Sequence, residues 1–187
     1  MAKLSCFMMV SLDGYYARPD GDMRWAHRRD PEYDEFAAGN AQSRGTLLFG
    51  RVTFEQMRAF WPTPAARAAR PAVADGVNRA PKFVVSRTLE RPDWENSEIL
   101  RGELVPNVDR LKREAERTIV ILGSASLVAQ LSEARLIDEY QIVVNPVALG
   151  AGRSLFAGMK ADLELSLVET RAFKHGVVFL RYALLRP

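Results

Sequence analysis

Thr46-Leu47-Leu48-Phe49-Gly50-Arg51-Val52-Thr53 decides how this chain is read. A short apolar strand runs into a glycine, and residues 53–59 continue as a helix. The same order returns at Thr118-Ile119-Val120-Ile121-Leu122-Gly123-Ser124-Ala125-Ser126, where a strand stops at Gly123 and residues 124–131 read as a helix. A third strand, Lys82-Phe83-Val84-Val85-Ser86, ends in a hydroxyl followed by Arg87. Strands alternating with helices predict an α/β domain with a largely parallel sheet. In such a sheet the carboxyl ends of the strands share one edge, where ligands collect. A helix N-terminus there offers unpaired N–H groups and partial positive charge, and glycine lets a phosphate approach the backbone. Neither glycine turn has the Rossmann spacing or the P-loop pattern. The residues by themselves leave two readings open, an ordinary strand–helix turn and a phosphate-binding one.

Working outward, residues 4–10 form a continuous apolar run, the pattern of a strand buried on both faces. Ser11-Leu12-Asp13-Gly14 ends it with turn chemistry, and residues 15–29 have loop composition. Asp30-Pro31 starts a helix expected to reach about Ser43, with Glu32 and Asp34 in its first turn. Residues 61–80, with Pro62, Pro64 and Pro71, read as a long loop holding one helical turn. Ile99-Leu100 suggests a strand, 107–117 a helix and 139–145 a strand closed by Pro146. Two strands at 163–170 and 177–184, with Lys174-His175-Gly176 between them, predict a closing antiparallel hairpin. No repeat or linker divides the chain, so residues 1–187 read as one domain.

The composition excludes several classes. Of 187 residues, 26 are Lys or Arg and 23 Asp or Glu, a net charge of +3 that lacks the basic stripe of a nucleic-acid binder. The single cysteine, Cys6, rules out an internal disulfide and a multi-cysteine metal site, and its mid-strand place makes it a core residue. His27 and His175 lack metal-ligand spacing, so no metal is expected. No stretch approaches a membrane span and no targeting segment is seen, so a cytoplasmic protein is expected. Trp61 and Trp94 read as packing anchors. Trp25 either stacks on a substrate ring or covers its loop, and Arg28 and Arg29 either meet a substrate phosphate or are solvated.

The order Ser11-Leu12-Asp13-Gly14, Trp25, an acidic helix start, Gly50-Arg51-Val52-Thr53, Val84-Val85-Ser86-Arg87 and Gly123-Ser124 resembles the dihydrofolate-reductase-like fold. Asn145-Pro146-Val147-Ala148-Leu149-Gly150-Ala151-Gly152-Arg153-Ser154-Leu155-Phe156 is similar to a segment of the C-terminal reductase domain of riboflavin biosynthesis proteins and its stand-alone relatives. The resemblance spans about residues 4–184. It implies three layers: a central, mostly parallel sheet of about eight strands with a C-terminal antiparallel hairpin, and flanking helices. It implies NADPH as hydride donor to a small heterocyclic or ribosylaminopyrimidine-type substrate, and a homodimer. By motif, Gly50, Arg51, Val52 and Thr53 would hold the pyrophosphate, and Ser86 and Arg87 the adenosine ribose and its 2′-phosphate. Gly123, Ser124, Ala125, Ser126 and Leu127 would contact the pyrophosphate from the other side and the nicotinamide ribose. Met9, Asp13, Tyr16 and Ala17 would flank the nicotinamide, and residues 15–29 would close over it. In the folate enzymes an acidic residue of the first helix binds the pterin; counting back from Gly50 reaches Asp34, and counting forward from Pro31 reaches Tyr33. The catalytic candidates are therefore Asp13 and Asp34, and the substrate candidates Trp25 and Tyr33. Asp13 has the alternative of serving only its Asp-Gly turn. Pterin reduction, an NADPH-binding module without catalysis and a purely structural subunit are the alternative functions.

Overall fold

The computed structural model describes residues 1–27, 30–42 and 45–186. Arg28, Arg29 and the expected helix end at Ser43 lie outside these residues. The chain runs through β1 (Leu4–Ser11), β2 (Tyr15–Ala17), a 3-10 turn at Arg24–His27, α1 (Pro31–Gln42), β3 (Thr46–Gly50) and α2 (Arg51–Phe60). It continues with α3 (Pro64–Ala69), α4 (Pro71–Arg79), β4 (Lys82–Val85), β5 (Ser97–Leu100), α5 (Leu104–Glu114), β6 (Ile119–Ile121) and α6 (Ala125–Glu133). The last elements are β7 (Glu139–Asn145), β8 (Arg153–Ser154), β9 (Leu165–Ala172) and β10 (Val178–Leu184).

Eight strands form one sheet in the order β5-β4-β3-β6-β1-β7-β10-β9. The first six are parallel; β10 is antiparallel to β7, and β9 to β10. Alternation of side chains along the strands gives each face its own core. Leu4, Cys6, Met8, Val10, Leu48, Ile119 and Ile121 pack under α5 and α6 through Val108, Leu111, Leu127, Val128 and Leu131. On the opposite face Leu47, Phe49 and Val84 meet Phe54, Ala66, Ala74, Val77, Trp61 and Trp94. There, too, Tyr33 and the flanking Phe36 of α1 pack on Val143, Phe173, Val177 and Phe179. The three-layer expectation holds. The two tryptophans are anchored through one asparagine: Asn78 donates to the Trp61 carbonyl at 2.9 Å and accepts from Trp94 Nε1 at 2.9 Å. Of the two edge strands, β5 and β9, the latter leaves Leu167 and Val168 exposed.

Several element boundaries differ from the sequence reading. Residues 61–80 hold two helices, α3 and α4, instead of a loop with one turn. Pro64 and Pro71 each occupy a first helical position, where a missing N–H costs nothing, so they start helices here. Thr63 caps α3 by accepting from Ala66 N at 3.2 Å. The helix α2 begins at Arg51, so Arg51, Val52 and Thr53 are its first turn. The helix α5 begins at Leu104, ahead of Pro106, since a proline in the first turn removes only a donor that has no partner there. Residues 15–17, read as loop, pair as β2 with β8. Among the described residues no helix is long and apolar enough to cross a membrane.

Candidate functional site

Adjacent strands β3 and β6 send their following helices to opposite faces of the sheet, α2 to one and α6 to the other. Such a switch of direction opens a crevice outside the carboxyl ends of the strands. Gly50 and Gly123 stand on its two sides and touch: Gly50 N donates to the Gly123 carbonyl at 3.1 Å. A Cβ on Gly50 would lie 2.5 Å from Ser124 Oγ and 3.2 Å from Ser124 Cβ. Gly123 has φ +111°, a conformation side chains oppose, and a Cβ there would lie 3.1 Å from Thr53 Oγ1. The peptide between Gly123 and Ser124 is cis. Neither α2 nor α6 has a side-chain hydrogen bond capping its N-terminus. Two uncapped helix ends therefore converge on one crevice. Ser124 and Ser126 share a 2.7 Å hydroxyl hydrogen bond beside it. Arg51 turns to Glu55 at 2.9 Å on the outer face of α2, while Val52 is exposed on the first turn. Ala125 and Leu127 are buried in the core, and the Leu127 N–H is already bonded to the Ser124 carbonyl.

One strand further out, Ser86 follows β4. It is buried, and its hydroxyl oxygen accepts from Thr88 N at 3.2 Å and Leu89 N at 2.9 Å. The Arg101 guanidinium braces the same turn, donating to the carbonyls of Arg87 at 3.2 Å and Leu89 at 2.8 Å. The Arg87 side chain is exposed at this rigid turn.

On the other side of the crevice, the Asn145–Phe156 segment holds down the loop after β1. Asn145 Nδ2 donates to the carbonyls of Val10 and Val143, both at 3.3 Å, locking the ends of β1 and β7. Asp13 accepts from Ser11 Oγ at 2.6 Å, from Leu149 N at 3.0 Å and from Gly150 N at 2.7 Å. Chiefly because of the Ser11 hydrogen bond, with the two amides adding to it, the Asp13 carboxyl is held down at about 2. Arg153 donates from Nε and Nη2 to the Pro19 carbonyl at 3.2 and 3.0 Å. A Cβ on Gly152 would lie 2.5 Å from the Ala17 carbonyl oxygen, so glycine lets this strap lie flat on β2. Tyr16 is half-buried and Ala17 buried beneath it; Met9 is half-buried on β1. Trp25 is buried and donates to the Asp22 carbonyl at 3.3 Å, which is the loop-covering alternative.

The start of α1 completes this edge. Asp30, 2% exposed, accepts from Glu32 N at 3.1 Å and Tyr33 N at 3.2 Å as the helix cap, and from His175 N at 3.3 Å. It thereby ties α1 to the turn of the closing hairpin, and Glu32 adds an ion pair to Arg171 at 3.1 Å. Asp34 pairs with Arg70 at 2.9 Å. Tyr33 packs edge-on against Phe173 with ring centres 5.5 Å apart, and burial pushes its hydroxyl pKa upward. That hydroxyl has no hydrogen-bond partner among the described residues.

The structure thus gathers Gly50, Arg51, Val52, Thr53, Ser86, Arg87, Gly123, Ser124, Ala125, Ser126 and Leu127 along one stretch of the carboxyl edge. Asp13, Tyr16, Ala17, Met9 and Trp25 lie about the adjacent end of β1, and Tyr33 and Asp34 on the first turn of α1. Sequence reasoning assigned nothing to Asn145, Arg153, Arg101 or Arg70. The first two stand inside the Asn145–Phe156 motif and could have been singled out; Arg70 was hidden inside a stretch read as loop.

Comparison with known proteins agrees with this architecture. Protein YyaP of Bacillus subtilis (strain 168), described as uncharacterized, is 28% identical over 177 residues, 94% of this chain and 91% of its own. A crystal structure of a putative riboflavin biosynthesis protein from Shewanella sp. PV-4 superposes with a TM-score of 0.79 at 25% identity, covering both chains in full. Dihydrofolate reductase from Enterococcus faecalis, solved with NADP(H), gives 0.68 at 15% identity over 98% of this chain and 97% of that one, which establishes the dihydrofolate-reductase-like fold. The RibD C-terminal domain family, a family of reductases, matches residues 2–179, and the chain belongs to it.

Proposed function

We propose that this member of the RibD C-terminal domain family is an NADPH-dependent reductase of a small heterocyclic or ribosylaminopyrimidine-type substrate. The observation that carries the reading is the convergence of two uncapped helix N-termini, at Gly50 and Gly123, on the β3–β6 crevice. Backbone amides at two helix ends with their aligned dipoles suit a pyrophosphate, and a glycine on each side lets the two ends come together. In this reading the first-turn amides of α2 and α6 hold the pyrophosphate. Arg87, on a turn fixed by Ser86 and Arg101, takes the 2′-phosphate, which a guanidinium binds by charge-assisted hydrogen bonds. Met9, Tyr16 and Ala17 flank the nicotinamide. When bound, NADPH supplies the hydride.

The chain's own task is to align and enclose the reactants. The strap from Asn145 to Phe156 does this by fixing the loop after β1 through Asp13 and Arg153. With its carboxyl at about 2, Asp13 is ionised at neutral pH, so it acts here as a positioning residue and not as the proton donor. Asp34 is the remaining acidic candidate on the substrate side. Its carboxylate lies in an ion pair with Arg70 through Oδ1 at 2.9 Å.

Titration of the full-length protein with NADPH and with NADH, followed by nicotinamide fluorescence, tests the reading. Arg87→Ala should weaken NADPH about tenfold, equivalent to about 1.4 kcal/mol, and leave NADH within about twofold. No NADPH binding at hundreds of micromolar would overturn the proposal, and equal losses for both nucleotides would remove the role of Arg87. Oxidation of NADPH with a ribosylaminopyrimidine phosphate and with dihydrofolate, side by side, then sorts the substrates.

A further inference from the structure

The turn that carries Arg87 is closed from two sides by different groups. On one side the Ser86 hydroxyl oxygen accepts from Thr88 N and Leu89 N. On the other a single guanidinium spans two carbonyls: Arg101 Nη1 donates to Arg87 O at 3.2 Å and Nη2 to Leu89 O at 2.8 Å. Arg101 follows β5, and its own main chain is anchored in turn. Asn107, in the first turn of α5, donates from Nδ2 to the Arg101 carbonyl at 2.7 Å, and Gly102, with φ +95°, bends the chain between them. Ser86 N donates to the Leu100 carbonyl at 3.3 Å, so the Arg87 turn and the Arg101 corner leave the sheet side by side. The Arg87 side chain itself makes no ion pair or hydrogen bond among the described residues.

Both Arg101 bonds lie at the surface, where water satisfies a carbonyl without help, so they contribute little to the stability of the fold. What they fix is the backbone from which Arg87 reaches out. A long exposed side chain loses rotamer freedom when it grips a ligand, and a rigid backbone beneath it lessens the total loss. We infer that Arg101 is a positioning residue that sets the preference for NADPH over NADH: it clamps the backbone under Arg87 and makes no contact with the nucleotide. The inference rests on the reductase reading, in which Arg87 takes the 2′-phosphate. A planar guanidinium holds two carbonyls at once in a fixed fork, and a lysine ammonium does not reproduce that fork, so positive charge alone is insufficient at this position.

The test compares wild type, Arg87→Ala, Arg101→Ala, Arg101→Lys and the double variant Arg87→Ala/Arg101→Ala by fluorescence titration with NADPH and with NADH. Arg101→Ala should weaken NADPH about fivefold and Arg101→Lys about threefold or more, with NADH within about twofold of wild type for both. Because Arg101 acts through Arg87, the double variant should bind NADPH no more than about twofold weaker than Arg87→Ala alone. Without nucleotide, amide hydrogen exchange over residues 86–89 should quicken in both Arg101 variants, while residues 82–85 and the melting temperature stay as in wild type. Losses that multiply in the double variant, or wild-type NADPH affinity in Arg101→Lys, would mean a direct phosphate contact and overturn the clamp. Unchanged NADPH affinity in Arg101→Ala, equal losses for NADPH and NADH, or a melting temperature several degrees lower would overturn it as well. Absence of NADPH binding by the wild type removes the reductase reading and this inference with it; NADPH binding that depends on Arg87 and not on Arg101 removes the inference alone.

Discussion

Of the helices that begin on the carboxyl edge of the sheet, α1, α2 and α6 treat their first turns differently. At α1 the buried Asp30 carboxylate accepts from Glu32 N, Tyr33 N and the His175 N of the hairpin. At α2 and α6 no side chain caps the helix, and glycines bring the two ends into contact. A helix end with its donors satisfied from within is scaffold; an end with its donors left to an outside acceptor is equipped for an anion. The contrast separates what holds this molecule together from what it offers to a ligand.

The contrast breaks most sharply at Gly50. Gly50→Val should lower NADPH affinity at least a hundredfold, about 2.8 kcal/mol by the affinity scale, because the new side chain displaces Ser124 and parts the two helix ends. Fluorescence titration reads the loss, and circular dichroism should show the fold retained. Unchanged affinity would mean that the crevice is not where the nucleotide sits. Asp30→Ala probes the other kind of end. It removes the cap of α1 and should cost about 1–2 kcal/mol of stability, read by chemical denaturation, with NADPH affinity within about twofold of wild type. A large loss of affinity without loss of stability would make the capped end part of the site and erase the distinction.

How much of this could be read from the sequence follows the same division. Local grammar was legible: strand–glycine–helix turns put Gly50 and Gly123 at strand ends, and Asp30-Pro31 marked the start of α1 as observed. Proline misled between 61 and 80, because Pro64 and Pro71 carry the same letter whether they interrupt a helix or begin one. Contacts between distant segments stayed hidden. Nothing local to Asp13 tells that its oxygens meet the amides of Leu149 and Gly150, and nothing local to Asp34 tells that Arg70 reaches it. Trp25 was left between stacking on a substrate ring and covering its loop, and Tyr33 was reached by counting along the first helix; both side chains are buried, which no local pattern told. Backbone turns were foreseen, and side-chain partnership across the fold was not.

Asp13 lies between the two kinds of region, since it is a clamp standing at the mouth of the crevice, and it allows the finest test. Its carboxyl sits at about 2 against an ordinary 3.8, held there first by the Ser11 hydroxyl. A carboxylate with a lowered folded value stabilises the clamped form above its ordinary value, and that contribution is lost as pH falls through the folded one. The strap should therefore stay closed from pH 8 down to about 4 and loosen only between about 4 and 2. Asp13→Asn keeps a side-chain oxygen for the Leu149 and Gly150 amides. It should reduce NADPH affinity and turnover threefold or less, with a pH profile above 4 that superimposes on that of the wild type. Asp13→Ala, which keeps no acceptor, should do more than Asp13→Asn. If Asp13 instead delivered the proton, Asp13→Asn would abolish turnover while leaving NADPH affinity intact, and a limb of the pH profile would vanish with it. That split between binding and turnover is what distinguishes a residue that holds the loop from one that takes part in the reaction.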